Sequence, residues 1–306
     1  MISVIIPAYN EEANIRPASE RIGAVLSGCG IEYELIFVDD GSADETWKNI
    51  SLQSEKSSLV RGISFSRNFG KDAAIFAGLS HAQGDCCAVI DCDMQHPPEK
   101  LVTMYRLWQD GFELVEGVKS GRGEESAAYS FFAKIFYKLI SRSAGIDMVR
   151  SSDFKLLDRR AVDALLRMKE TGAFFRALSS WVGFKTATVE FQVEARFKGT
   201  TKWSKLSLIK YAINNITAFS TAPMQIVTLL GCVMLALAIV LSGITVYQKF
   251  AGIALDGFTT VIIIQLFSGS ITMVSLGIIG YYIARILNEV KERPKFVISK
   301  TCGDKK

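Results

Sequence analysis

The sequence predicts an α/β protein: a doubly wound, mostly parallel sheet, followed by an amphipathic helix and two transmembrane helices. Three observations carry this. Short apolar runs alternate with helical stretches through roughly the first 120 residues. Those runs are almost continuously apolar, as in strands covered on both faces. Charged residues, dense up to position 210, almost vanish between Met224 and Ala284.

Ser3–Ala8 reads as a buried strand, and Asn10-Glu11-Glu12 starts a helix whose regular part is limited by Pro17. Glu34–Val38 is the second strand, and Asp39-Asp40-Gly41-Ser42 turns the chain. Ser42 and Glu45 have the spacing of a capping box for the next helix. Val60–Phe65 is the third strand, leading to an amphipathic helix around Lys71–Ala82. Cys86–Ile90 is the fourth, and Pro97-Pro98-Glu99 opens a helix where proline is tolerated. Phe112–Val118 is the fifth. Beyond it the pattern becomes α+β: a helix near Ala127–Ser141, a short strand Asp153–Leu157, a helix Arg159–Met168 and an alternating strand Thr186–Ala195.

Ile226–Tyr247 and Thr259–Ala284 are uncharged runs of about 22 and 26 residues, each long enough to cross a hydrocarbon core. Arg196, Lys198, Lys202, Lys205 and Lys210 precede them, and Arg285, Lys291, Arg293, Lys295 and Lys300 follow. The loop between has only Lys249. This asymmetry places both ends in the cytoplasm with a helical hairpin between. Trp203, Leu206, Ile209, Ile213, Ile216 and Phe219 recur at helical spacing, which suits a helix lying in the membrane interface or one packed on the soluble domain. The expected organisation is a cytoplasmic domain over 1–202, a juxtamembrane helix over 203–222, the hairpin over 223–288 and a basic cytoplasmic tail over 289–306.

Composition excludes some classes. A net charge of +4, without a basic patch interleaved with aromatics, argues against nucleic acid. The six cysteines have no zinc-ligand spacing and read as reduced thiols. Met1 leads straight into an apolar strand, so no signal peptide is expected. No Gly-x-Gly-x-x-Gly follows the first strand, which argues against a dinucleotide oxidoreductase.

Ligands of doubly wound sheets bind beyond the carboxyl ends of the strands, where the polar clusters after strands one, two and four fall. Asp91-Cys92-Asp93 ends the fourth strand. Its hard oxygen ligands suit magnesium or manganese rather than zinc. On an extended segment, residues two apart point the same way, so Asp91, Asp93 and Gln95 converge. A lone Asp-x-Asp occurs in many surface turns. This one follows a buried strand and lies about 50 residues past an Asp-Asp-Gly-Ser turn at an equivalent strand end. Asp39 and Asp40 suit the base and ribose of a nucleotide, although turn and cap chemistry accounts for the same residues.

Ile5–Glu12, Val38–Ser42, Arg67–Lys71 and Asp91–Pro98 together resemble the inverting family 2 glycosyltransferases. The resemblance is nearest to polyprenyl-phosphate enzymes, such as dolichol-phosphate mannose synthases and bactoprenol glucosyltransferases, and it covers nearly the whole chain. It implies a GT-A fold, a nucleotide-sugar donor (UDP-glucose by family frequency) and Mg2+ or Mn2+ as cofactor. Pro7, Tyr9, Glu11, Asp39 and Asp40 then hold the nucleoside, and Asp91, Asp93 and Gln95 the metal and diphosphate. Lys71 and Arg67 are cations at the same edge, with plain surface charges as the alternative.

A sugar-hydroxyl acceptor needs a general base, whereas a polyprenyl phosphate is already ionised and needs cations. Arg122, Arg196, Lys198 and Lys202 are the acceptor-phosphate candidates, with Lys202 favoured. Asp153 matches a family position near the acceptor, as base or positioner, and joins Asp93 as a catalytic candidate. The chain departs from bactoprenol enzymes in having fewer basic residues before Ser126-Ala127-Ala128-Tyr129. It also lacks the Gln-x-x-Arg-Trp signature of processive synthases. The resemblance further implies a bacterial inner-membrane protein with a cytoplasmic catalytic domain, assembled as a tetramer. A glycolipid or glycan hydroxyl acceptor, and a non-catalytic nucleotide-binding scaffold, are the competing readings.

Overall fold

The structure, a computed structural model, describes residues 1–120, 152–168, 174–192, 222–252 and 257–303. It divides into two compact units: Met1–Lys210 together with Pro294–Lys306, and Tyr211–Arg293.

The first unit is built on one sheet of β1 (Ile2–Ala8), β2 (Tyr33–Asp39), β3 (Val60–Phe65), β4 (Cys86–Val89), β5 (Leu114–Lys119), β6 (Lys155–Asp158), β7 (Thr186–Phe191) and β8 (Ile298–Cys302). Their order is β7-β5-β6-β4-β1-β2-β3-β8. The pairs of β1 with β2 and β4, of β2 with β3 and of β5 with β7 are parallel. β6 runs antiparallel to both β4 and β5, and β8 antiparallel to β3. The sheet is therefore mixed but mostly parallel, as the sequence predicts.

Helices α1 (Ile15–Gly28), α2 (Thr46–Lys56), α3 (Lys71–His81), α4 (Glu99–Gln109), α5 (Arg159–Leu166) and α6 (Phe175–Trp181) accompany the strands. Alternation within β2 shows why the strand reads as one apolar run. Leu35 and Phe37 join a core with Ile15, Ala18, Ile22 and Leu26 of α1, whereas Ile36 and Val38 join another with Ala74 and Ala77 of α3. Both faces are covered, so both are mainly apolar, and the buried Glu34 is satisfied by Ser3 and Arg61. Pro17 falls in the first turn of α1, where a helix tolerates it.

Two expectations are corrected. The Ser42–Glu45 capping box does not form. α2 begins at Thr46 without a side-chain cap bond, because Ser42 Oγ instead accepts the Asn10 N–H at 2.9 Å. The segment expected as a tail is partly a strand: β8 pairs along β3, Ser66 N–H donates to the Val297 carbonyl, and Phe296 stacks on Phe65 at 5.2 Å. Period-two alternation is weak over 298–302, so the sequence signal for an edge strand was poor. The helix expected at 127–141 and the amphipathic helix expected over 203–219 lie outside the described residues.

In the second unit, α7 (Ala222–Phe250) and α8 (Phe258–Val290) contain Met224–Gln248 and Phe267–Val290, both long and apolar enough to cross a membrane. Leu229, Leu235, Ile239, Val274 and Ile286 are exposed along them. Apolar helices whose described side chains are largely exposed fit a lipid surround better than a soluble core.

Gly41 has φ 67°, and a Cβ there would lie 2.4 Å from the Arg67 carbonyl carbon. Gly41→Ala therefore meets both a left-handed backbone and a backbone clash. We expect it to destabilise the first unit by about 2–4 kcal/mol, read as a lowered thermal midpoint.

Candidate active site

The carboxyl ends of the parallel strands and the start of β6 form one polar edge. β6 runs backwards between β4 and β5, with Val89 opposite Lys155. Its N-terminal approach, Asp153, thus lies at the edge where β4 ends and Asp91 follows. A parallel strand at this position would have put Asp153 at the far edge of the sheet.

Four charges alternate there. Asp91 Oδ1 lies 2.6 Å from Lys71 Nζ, at the start of α3. The same ammonium donates to Asp153 Oδ2 at 2.9 Å. Arg176, on α6, donates through Nε and Nη2 to the two Asp153 oxygens, each at 3.1 Å. Partial burial raises the cost of the two carboxylate charges, but the neighbours outweigh it. Lys71 is held above its ordinary range by Asp153 and Asp91, and Asp153 is held well below the carboxylate range by Lys71 and Arg176. Asp91 is lowered too, mainly by Lys71. All four stay charged near neutral pH.

His96 packs behind Asp91. Its ring stacks on Phe154 at 5.0 Å and meets Phe191 edge-on, and Nδ1 faces the Asp91 N–H at 3.5 Å. Burial lowers its basicity. Sequence reasoning missed His96 and Arg176. His96 is visible in Asp91–Pro98 only as one residue among others, and Arg176 carries no local signal at all.

The Asp91–Gln95 segment is not extended, so the period-two geometry fails beyond Asp91. Met94 has φ 60°, and Asp93 Oδ1 accepts the Gln95 N–H at 3.1 Å. Asp93 and Gln95 share a tight turn instead.

Asp39 and Asp40 are buried and build loops. Asp39 accepts from the Ser42 N–H at 2.9 Å and the Ser64 hydroxyl at 2.8 Å. Asp40 accepts from the Phe69 and Gly70 N–H groups at 2.6 and 2.9 Å, which fixes the approach to Lys71. Carboxylate oxygens accept more than one hydrogen bond, so this use is compatible with a nucleoside ligand. Pro7 is buried in β1 opposite Val38, Tyr9 is exposed, and the Glu11 N–H donates to Thr46 Oγ1. Arg67 lies over the Phe69 ring at 4.7 Å. Arg122, Arg196, Lys198 and Lys202 lie outside the described residues.

Residues 3–166, more than half of the chain, match the family model for glycosyl transferase family 2. The chain belongs to that family. It is a glycosyltransferase, with full-length relatives. An uncharacterized glycosyltransferase of Bacillus subtilis (strain 168), YkcC, is 37% identical over 303 residues, 98% of this chain and 94% of the relative. A prophage bactoprenol glucosyl transferase homolog of Escherichia coli (strain K12) is 34% identical over 98% of each. The bactoprenol glucosyl transferase of Shigella phage SfII is 32% identical, again over 98% of each. Glucosyl-3-phosphoglycerate synthase from Mycobacterium tuberculosis, solved with Mn2+, UDP-glucose and phosphoglyceric acid, is similar with TM-score 0.48 and 21% identity, over 71% of this chain and 77% of that one. Two helices long and apolar enough to cross a membrane accompany this family domain.

The glycosyltransferase should show a pH-dependent stability traceable to Asp40. Burial pushes this carboxyl up to about 6, opposed by the Phe69 and Gly70 N–H donors. A carboxyl whose folded value lies above its unfolded one binds its proton more tightly in the folded state. Its contribution is therefore greatest below about pH 4 and declines as pH rises to about 6. Asp40→Asn should flatten that decline by roughly 1–3 kcal/mol, measured by denaturant unfolding at a series of pH values.

Proposed function

We propose that this glycosyltransferase transfers one hexosyl group, with inversion, from a nucleotide-sugar to polyprenyl phosphate on the cytoplasmic leaflet. The donor of first choice is UDP-glucose. The observation that carries the reading is the match to bactoprenol glucosyl transferases along almost the whole of both chains, the two apolar helices included.

The donor set fits a hard divalent cation. Among the described residues no group of three or more His, Cys, Asp or Glu is placed to hold a metal ion by itself. Asp91 and Asp93 supply carboxylates, the former held ionised. Magnesium and manganese are commonly bound by one or two carboxylates plus substrate phosphates, which suits an open site of this kind. When bound, the ion would neutralise charge developing on the departing nucleoside diphosphate.

The remaining work falls to the chain's own groups. Asp39, Asp40, Pro7, Tyr9 and Glu11 hold the nucleoside, and Lys71 faces the diphosphate. Its side chain is 42% exposed, so it is reachable while still paired. Asp153 orients the acceptor end, kept ionised by Lys71 and Arg176. An acceptor phosphate is already an anion, so Asp153 positions groups and need not remove a proton. The positive flanks of the apolar segments support cytoplasmic termini.

Incubating membranes that contain the enzyme with labelled nucleotide-sugars, polyprenyl phosphate and Mg2+ or Mn2+ tests the proposal. The expected result is lipid-extractable label with one donor, reduced at least about 100-fold by Asp93→Ala. Asp153→Asn should keep residual activity, lowered by about 10- to 100-fold, because a general base would contribute up to about 10^4. Enzyme that binds nucleotide yet labels no lipid with any donor contradicts the proposal. Near-complete loss with Asp153→Asn favours a hydroxyl acceptor.

A further inference from the structure

One buried ion pair is not used in the chemistry above. Glu116 of β5 and Lys155 of β6 stand opposite each other in the antiparallel register, with Nζ 3.1 Å from Oε1. Lys155 is fully buried and Glu116 nearly so. Desolvating two such charges costs several kcal/mol each, and well-packed apolar residues often serve stability as well or better. The pair therefore calls for a role besides holding two strands together.

Its contacts supply one. Glu116 Oε1 also accepts the Ser152 N–H at 3.2 Å, one residue before Asp153. The Ser152 hydroxyl in turn donates to the Gly117 carbonyl, and Gly117 N–H donates to the Phe154 carbonyl at 2.8 Å. Asp153 is thus clamped by its backbone on both sides to β5. Lys155 Nζ reaches the other way. It donates to Ser179 Oγ at 2.9 Å, to Ser180 Oγ at 3.2 Å and to the Arg176 carbonyl at 3.3 Å. Both serine hydroxyls donate back to that same carbonyl. The ammonium therefore fixes the turn of α6 that carries Arg176, while Asp72 Oδ1 accepts the Phe175 N–H at its start.

One pair thus holds both sides of the Arg176–Asp153 contact: the backbone leading into the carboxylate and the turn bearing the guanidinium. We propose that Glu116 and Lys155 are positioning residues that set the bidentate Arg176–Asp153 geometry for transfer without touching either substrate. This rests on the acceptor-side role given to Asp153 above. Two parallel N–H···O bonds tolerate little displacement, and a misplacement of about 1 Å far from the chemistry can cost about 100-fold in rate.

The test uses the full chain, polyprenyl phosphate and the nucleotide-sugar that labels lipid. K155M/E116Q removes both charges at similar volume, so no buried charge is orphaned. We expect donor KM within about two-fold of the parent and kcat lowered about ten-fold. Adding Arg176→Gln should then lower kcat by no more than about two-fold further, because both changes remove the same geometry. A parent-like kcat overturns the proposal, and so does an Arg176→Gln loss that multiplies in full. Should K155M/E116Q fail to fold, Ser179→Ala decides. A fall in kcat at unchanged donor KM supports the proposal, and parent kcat overturns it. Asp153→Asn in parallel separates the two claims. Parent kcat in that variant sinks the acceptor-side reading, whereas loss there beside an unaffected K155M/E116Q sinks the positioning role alone.

Discussion

The row Asp91–Lys71–Asp153–Arg176 is the constraint on which the site depends. Each member comes from a different part of the chain: the end of β4, the start of α3, the approach to β6 and the first turn of α6. Asp153 is the least exposed member, and it is held between two cations, Lys71 and Arg176, so losing either leaves its charge less well compensated. The row therefore requires all four segments to be in place at once. The reversed direction of β6 makes this possible, since it brings the beginning of one strand to the edge where the parallel strands end.

Around that row, loops are held by carboxylates rather than by regular structure. Asp39 gathers Ser42 and Ser64, and Asp40 gathers Phe69 and Gly70. Gly41 lets the chain pass against the Arg67 backbone. The result is that the turn after β2 and the loop before Lys71 form one body. The segment after α8 supports that loop from the other side, through Val297 on Ser66 and Phe296 on Phe65. Lys295 adds a bond to the Met168 carbonyl and lies over Phe76. A segment downstream of the apolar helices is thus part of the glycosyltransferase domain.

Much of this was legible in the sequence. Strands buried on both faces leave continuous apolar runs, and β1 to β4 were placed within a residue or two. The two apolar helices needed only length and the absence of charge. Asp39, Asp40 and Asp91 were singled out because they fall at the carboxyl ends of buried strands, Lys71 as a cation at the same edge, and Asp153 through the family resemblance. Other features depended on long-range pairing. Nothing local in Lys155–Asp158 says that the strand runs backwards, and β8 lacks alternation. Arg176 and Lys155 matter through partners more than 20 residues away. The Ser42–Glu45 spacing misled because Asn10, distant in sequence, claims the serine hydroxyl.

We propose that Asp91 and Asp93 form an open divalent site completed by the donor's diphosphate; Lys71 is already paired to Asp91. Titrating Mn2+ into the full-length protein, followed by electron paramagnetic resonance with and without uridine diphosphate, tests this directly. The account predicts weak binding of Mn2+ alone, binding tightened at least about ten-fold by the nucleotide, and loss of that gain in Asp93→Asn. Tight Mn2+ binding without nucleotide, or a nucleotide effect that survives Asp93→Asn, would contradict it.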